Sequence, residues 1–578
     1  MRKSNNSSFG KVLRYIGKYK YLLITSLILS ASGVLLALYI PVLAGRAIDF
    51  IIGEGKVDFS RLTPVIIRIA VIALASAVIQ WIANSINNRI AFNTVRDLRN
   101  DAVKKVNTLP VAYLDSRSSG DIVSRIIADA DQISDGLIMG FSQLFSGIVT
   151  VVITYVLMLR ISPKITPVVV ILTPMSILIA RFIAKNTHNM FKLQSSERGA
   201  QTAFIDETVT NRKIISSYNG ETDAIKTFDE INDRVAGYSL RAIFFSSITN
   251  PSTRFVNNTI YAAVAFMGAL LAIGGSITVG GLTCFLSYAG QFAKPFNEIS
   301  GVIAEFQNAL ACAERLFEII EAEPEAPDKA GALELDRAEG NISISNVCFS
   351  YNKDKKLIED LNLTAEKGTK IAIVGPTGCG KTTVINLLMR FYDVDSGSIS
   401  VDLTDIRDIK LKSLRKNYGM VLQETWIKTG TVKENIAMGL PEASFEQIKE
   451  AAVSAHAHSF IKKLPEGYDT VISEEYGLSQ GQKQLICIAR IMLLMPSILI
   501  LDEATSSIDV RTELKIRAAF DRIVKGRTSF IVAHRLSTIK NSDIILVMNN
   551  GKIIEQGNHS ELMAKHGFYE KLYNSRNY

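Results

Sequence analysis

The sequence predicts a two-part protein: an all-α membrane domain of six helical spans fused to a cytosolic α/β domain built to hold phosphate. Three observations predict it. Long charge-free runs of membrane-spanning length fill much of the first 320 of 578 residues. From about Asn341 onward, short β-branched strands alternate with helices, and no run is long enough to span. Inside that second part, Gly375-Pro376-Thr377-Gly378-Cys379-Gly380-Lys381-Thr382 matches G-x-x-x-x-G-K-S/T. The averages agree. Hydrophobic residues make up 48% and charged residues 21%, with a mean hydropathy of +0.20. That excludes a disordered chain and reads as a membrane half averaged with a soluble one.

The spans follow in order. Residues 21–45, 69–88 and 136–159 are the clearest; 165–180 is shorter and holds Pro167 and Pro174. Residues 255–293 carry no charge, and Gly274-Gly275-Ser276 divides them into two spans joined by a tight outer turn. Arg2, Lys3, Lys11, Arg14, Lys18 and Lys20 precede the first span without an acid, so both termini of a six-span chain are expected in the cytoplasm. Arg160 and Lys164, in a turn expected outside, are a mild departure. The first segment is too long for a signal-peptide core and lacks a cleavage site. About 20 residues before it leave no room for a peptide-processing domain. Phe9, Val12, Leu13 and Ile16 recur at helical spacing among the basic residues and predict a short helix on the inner membrane surface.

The two long cytoplasmic loops are predicted to be helical as well. Ala91, Val95, Leu98, Ala102, Val106 and Leu109 recur every three or four residues, as do Ile122, Ile126, Ala130, Ile133 and Leu137. About 20 extra residues would carry the helices roughly 30 Å into the cytoplasm, with a turn at residues 114–121. Residues 323–329 are acidic and contain two prolines, a linker composition. The expected organisation is an interfacial helix at 1–20, a membrane domain at 21–322, a linker at 323–340 and the phosphate-binding domain at 341–578. Cys284, Cys312, Cys348, Cys379 and Cys487 lie far apart, with neither disulfide-framework nor zinc-site spacing.

The phosphate loop follows an apolar strand, Lys370–Val374, and opens an apolar helix expected from about Thr383. Its glycines let backbone N–H groups close around phosphates, and the helix N-terminus adds a favourable dipole. Lys381 supplies a point charge, and the Thr382 hydroxyl can ligate Mg²⁺. Further on, Ile498-Leu499-Ile500-Leu501-Asp502-Glu503 is a buried-type strand delivering two carboxylates to a sheet edge. Asp502 suits Mg²⁺, and Glu503 suits the general base that polarises an attacking water.

Between these elements lies Leu478-Ser479-Gln480-Gly481-Gln482, and here the chain resembles an ATP-binding cassette (ABC) exporter half-transporter of the multidrug or lipid type. The segment is similar to that family's LSGGQ signature, with glutamine for the first glycine. Ala533-His534-Arg535 resembles the switch histidine, Val421-Leu422-Gln423-Glu424 the glutamine loop, Tyr351 the aromatic that stacks on adenine, and Ser507-Ile508-Asp509 the segment crossing the dimer interface. In the membrane half, Leu109-Pro110, Asp115, Gly120-Asp121 and Ser124-Arg125 resemble the first cytoplasmic loop. Thr278-Val279-Gly280-Gly281-Leu282 and Gln291-Phe292-Ala293-Lys294-Pro295 resemble the sixth helix.

The resemblance implies ATP and Mg²⁺ as cofactors. It implies Glu503, His534 and Lys381 as catalytic residues, and Thr382, Gln423 and Asp502 around the metal. Tyr351, the loop from Gly375 to Thr383, Gln423, the signature residues Ser479, Gln480, Gly481 and Gln482, and Asp509 would contact nucleotide. It also implies two composite sites, each joining one chain's phosphate loop to another chain's signature. Gln480 then favours a heterodimer with a second half-transporter over a homodimer. Two more departures fall where the cassette should meet the membrane helices: Gly477 directly abuts Leu478, and Ile427-Lys428 replaces the usual Leu-Phe.

The expected function is ATP-driven export of a hydrophobic or amphipathic small molecule across the cytoplasmic membrane by alternating access. A lipid flippase or exporter, or an importer (of a siderophore, for example), is the alternative on this architecture. A soluble cassette ATPase acting on nucleic acid is the rival the spans argue against; the net charge of +8 is spread over cytoplasmic faces rather than a nucleic-acid footprint. Gln80, Asn84, Asn257, Asn258, Tyr261, Tyr288 and Gln291, with Phe255 and Phe285, are candidates for the transport cavity. Packing between helices accounts for them equally well.

Overall fold

The computed structural model of the protein describes residues 2–51, 57–352, 356–422, 425–473, 477–502, 509–532 and 539–575, without the side chains of 2–7, 174–189, 249, 250, 253, 297, 299 and 300. Two compact units result: Met1–Thr108 with Arg117–Ala322, and Leu109–Ser116 with Glu323–Tyr578.

The first unit is all helix: α1 (Arg2–Gly17), α2 (Lys20–Asp49), α3 (Phe59–Val106), α4 (Ser119–Ile161), α5 (Thr166–Thr210), α6 (Glu221–Ile273) and α7 (Val279–Ile320). Among the described residues, α2, α3, α4 and the Arg254–Ile273 stretch of α6 are long and apolar enough to cross a membrane. Helices α5 and α7, 45 and 42 residues long, are not among these. Tyr21, Ile28, Leu35, Ile67, Leu74 and Trp81 turn outward on α2 and α3. That arrangement puts apolar surface where hydrocarbon, not water, is the fitting solvent.

Inside the unit, polar groups pair across helices. Ser26 bonds to Asn87, and Ser76 Oγ donates to the Gly33 carbonyl at 3.0 Å. Helices α2 and α7 approach closest at Gly45 and Gly280, where a Cβ built on Gly280 would lie 1.9 Å from the Gly45 oxygen. One turn on, Asp49 accepts from the Gly280 N–H at 2.8 Å and the Thr278 hydroxyl at 2.9 Å, closing the start of α7.

The helical extensions expected past the membrane are present, and their apolar periods are what bury. Ala91, Val95, Leu98 and Ala102 of α3 pack with Ala130, Ile133 and Leu137 of α4 and with Ala313, Leu316 and Phe317 of α7. Val12 and Ile16 of α1 join this core, while Phe9 and Leu13 stay exposed. Helix α1 is therefore held by the unit as well as amphipathic: Lys11 pairs with Glu321 at 2.6 Å, and Tyr15 bonds Asp101 at 2.8 Å. Helix α4 is wound as π-turns at Arg125–Asp129 and Gly140–Leu144. At the end of the first of these, Asp129 receives two guanidinium donors of Arg315, at 2.7 and 2.5 Å.

The second unit is layered α/β. A six-stranded sheet has the order β12 (Lys552–Gly557), β11 (Ile544–Asn549), β3 (Lys370–Val374), β10 (Thr528–Val532), β9 (Ile498–Asp502), β6 (Tyr418–Val421). All neighbours are parallel except β11 with β12. A four-stranded antiparallel sheet orders β2 (Ile358–Ala365), β1 (Ile342–Phe349), β4 (Ser396–Val401) and β5 (Thr404–Asp405). A small pair joins β7 (Gly430–Thr431) to β8 (Val471–Ile472).

Alternation along the central strands builds two cores. Ile371, Ile373, Ile498, Ile500 and Phe530 face the antiparallel sheet and helix α8 (Lys381–Leu388). Ala372, Val374, Leu499, Leu501 and Ile531 face α9 (Gln480–Leu494) and α10 (Val510–Val524). Burial on both faces is why β9 reads as an unbroken apolar run rather than an alternating one.

Candidate functional site

The parallel strands place the sequence motifs along one edge. With β11, β3, β10, β9 and β6 adjacent and parallel, their carboxyl ends line up. The phosphate loop leaves β3, Asp502 closes β9, and in the sequence His534 and Gln423 each come two residues after β10 and β6. In open α/β sheets, the crevice at such carboxyl ends is where ligands bind. Gln423, Glu503, Ser507, Ile508 and His534 themselves lie outside the described residues.

The loop's conformation explains its glycines. Gly378 and Gly380 sit at φ +82° and +103°, the left-handed region where a side chain is strained. A Cβ on Gly375 would fall 2.2 Å from the Met548 oxygen, and one on Gly380 would fall 2.7 Å from Ile358 Cδ1. Gly380 is the N-cap of α8, so the helix begins at Lys381, two residues before the position the sequence suggests. Thr382 is exposed at that N-terminus, whereas Thr383 is buried beneath it. Pro376, Thr377 and Gly378 are exposed; Cys379 is buried. Lys381 Nζ donates to the carbonyls of Gly375 at 3.0 Å and Pro376 at 2.9 Å, which lays its charge across the loop.

Thr382 and Asp502 are both hard oxygen donors, and β10 alone separates the strands that lead to them. That donor chemistry suits Mg²⁺. Among the described residues, no cluster of three or more His, Cys, Asp or Glu forms an all-protein metal cage. A magnesium that also takes phosphate oxygens needs none.

Tyr351 is half exposed and belongs to an aromatic cluster that no motif announced. Its ring meets Phe349 and Tyr392 edge-on, both with centroids at 4.9 Å, and Asn386 of α8 donates to its hydroxyl at 3.2 Å. Tyr392 in turn donates to Asp115 at 2.8 Å, within the Leu109–Ser116 segment of this unit. Burial, then Asp115, pushes the Tyr392 hydroxyl well above the usual phenol range.

The signature residues start α9. Ser479 is its N-cap, and with Gln482 it forms a reciprocal capping box. Gln480 is the first helical residue and is not among those with left-handed backbone, so the missing glycine leaves no strain. Its Nε2 donates to Thr425 Oγ1 at 3.1 Å. Asp509 caps α10, accepting from the Thr512 N–H at 2.9 Å, and that bond holds its carboxyl below the usual range.

Comparisons with known proteins bear on both units. The family described as ABC transporter transmembrane region matches residues 23–296, and that described as ABC transporter matches residues 358–506. A fatty acid ABC transporter ATP-binding/permease protein of Mycobacterium tuberculosis is 40% identical over 521 residues, covering 90% of this chain and 82% of that protein. The chain belongs to the ABC transporter family. An uncharacterized ABC transporter ATP-binding protein of Bacillus subtilis is 36% identical over 99% of this chain and 95% of its own length. A bacterial Atm1-family ABC exporter with ATP bound superposes with a TM-score of 0.77 at 25% identity, covering 96% of this chain and 98% of that one. This ABC transporter is thus a multi-pass membrane protein with the exporter fold. Its second unit is an ATP-binding ATPase coupled to transport.

In the membrane unit of this transporter, the candidate cavity residues differ in burial. Tyr288 and Phe285 are fully buried, and the Tyr288 hydroxyl donates to the Leu38 carbonyl at 2.6 Å. Phe255 and Tyr261 are exposed. Asn257 Oδ1 is buried and has no partner among the described residues.

Proposed function

We propose that the protein exports a hydrophobic or amphipathic small molecule across the cytoplasmic membrane, using six spans per chain with both termini cytoplasmic. A second half-transporter completes it. The observation that carries this reading is the left-handed glycine loop with Lys381 across it, at the strand edge where β9 delivers Asp502. In this reading the loop's N–H groups and Lys381 bind the ATP phosphates, and Tyr351 stacks on the adenine. Thr382, Asp502 and Gln423 hold Mg²⁺, which neutralises charge on the phosphates. Glu503 takes the proton of the attacking water, and His534 steadies the transferred phosphoryl group. Ser479 to Gln482, with Asp509, face the nucleotide bound by the second chain.

Gln480 in place of the signature glycine supports a different second chain over an identical one; its side chain is held by Thr425 of its own cassette. Full ATPase activity of the chain purified alone would count against the heterodimer. The relative named for fatty acid makes a long-chain fatty acid the first amphipathic probe to try. The test of the site is Glu503→Gln. It should bind ATP normally and lose turnover about 10²–10⁴-fold, the usual worth of general-base catalysis, as read by phosphate release. Near-normal hydrolysis would overturn the assignment.

A further inference from the structure

We propose that the apolar groove between α1, α4 and α7 is a lipid site. It seats one acyl chain of an anionic phospholipid whose headgroup rests on basic residues of α1 and the start of α2. The inference does not depend on which molecule is exported.

The groove is a cavity of about 560 Å³ within the membrane unit. That falls inside the range of about 300–1,000 Å³ typical of small-ligand pockets. Gln307 is the one polar side chain in its wall among the described residues. Two glycines one turn apart on α4 explain its shape. At Gly136 a Cβ would collide with that of Ala309, so α4 and α7 touch there. At Gly140 a Cβ would meet only the Phe306 ring, at an ordinary 3.7 Å, and the helices have parted. Helix α1 covers the gap: Val12 and Ile16 are buried, while Phe9 and Leu13 stay exposed along it. The Phe9 ring meets Phe306 edge-on at 5.8 Å, which ties α1 to α7.

Depth and charge name the occupant. Leu23 and Leu27 of the wall lie in the first turns of α2, a candidate span. The groove therefore opens within roughly 10 Å of where the chain enters the membrane. Exposed apolar side chains there call for hydrocarbon, and at that depth the hydrocarbon is an acyl chain. Lys20 stands at the head of the same α2 face, three residues before Leu23 and seven before Leu27. Lys11 and Lys18 are paired with Glu321 and Asp97, whereas Lys20 and Arg14 have no carboxylate partner among the described residues. Basic residues beside a span attract anionic headgroups. A neutral lipid would fill the groove and leave these two charges unanswered.

The test uses the full transporter, assembled with its second half, in phosphatidylcholine nanodiscs that hold a minority of photoreactive phosphatidylglycerol with a diazirine at mid-chain. Peptide mapping should place the label on α1 and on the α4 turn at Gly140. The matching phosphatidylcholine probe should label these peptides at least fivefold less. Gly140→Leu, whose side chain would occupy the groove, should abolish the label there while thermal stability holds. Lys20→Gln, which leaves the cavity open, should cut it about fivefold, the worth of one basic residue at an anionic surface. If Gly140→Leu does not assemble, Lys20→Gln decides alone. Equal labelling by the two probes, or unchanged labelling in either variant, would overturn the proposal. So would a groove left unlabelled because the second half covers it. Full displacement of the label by a free long-chain fatty acid would also overturn it, by making the groove a site for the transported molecule. The label is read without ATP, so its outcome is separate from that of the export reading.

Discussion

Lys381 already spends its ammonium on two neutral carbonyls, those of Gly375 and Pro376. Phosphate oxygens are better acceptors for a cation, since charge-assisted bonds are about twice as strong as neutral ones. Binding ATP therefore exchanges weak partners for strong ones. Lys381→Ala should weaken ATP affinity at least tenfold, measured by equilibrium binding; unchanged affinity would contradict the role. This part of the site was legible in the sequence because left-handed backbone demands glycine, and Gly378 and Gly380 sit there. The ring cluster of Phe349, Tyr351 and Tyr392 was not legible beyond Tyr351. The contacts of Tyr351 with Tyr392 and Asn386 join residues far apart in the chain, and neither partner belongs to a local pattern. Nor was the bond from Gln480 to Thr425, since nothing in a five-residue signature says which way a side chain turns.

Helices that cross in a membrane are held by close contact more than by a hydrophobic drive. The crossing of α2 and α7 is the tightest example: Gly45 and Gly280 meet backbone to backbone, with Asp49 capping α7 beside them. Gly280→Val should push the two helices apart and break the Asp49 bonds. A loss of about 2–4 kcal/mol is expected, in the range of overpacking plus lost polar contacts. The readout is thermal inactivation of ATPase activity in nanodiscs, and wild-type resistance would refute the contact. Hydropathy located α2, α3, α4 and the end of α6, because exclusion of charge over a span is a strong signal; α5 and α7 are helices that do not meet that measure among the described residues. It did not reveal what happens within and between them. The π-turns of α4 carry no sequence pattern of their own, and the burial of Val12 and Ile16 depends on partners in α3 and α7. Residues 114–121 read as a plain turn, yet a short helix, Val111–Asp115, ends inside them and α4 already begins at Ser119. The start of α8 was misplaced because a glycine N-cap in left-handed conformation lets the helix begin at Lys381.

At the scale of the molecule, an α-helical membrane unit and an α/β ATPase share one chain, and neither explains the other alone. The composition average hinted at this division, and the motif order fixed which half does the chemistry. What each half moves or binds beyond ATP is set by scattered side chains, and a polar span residue such as Tyr288 is buried with its hydroxyl on the Leu38 carbonyl. The central claim is that hydrolysis at the strand edge drives outward movement of an amphipathic substrate. The most direct measurement reconstitutes the transporter in proteoliposomes with cassettes outward and follows a fluorescent long-chain fatty acid into the lumen. ATP should drive accumulation by the wild type, and Glu503→Gln should bind ATP yet accumulate nothing above background. Accumulation without ATP, or at the wild-type rate in Glu503→Gln, would contradict the account.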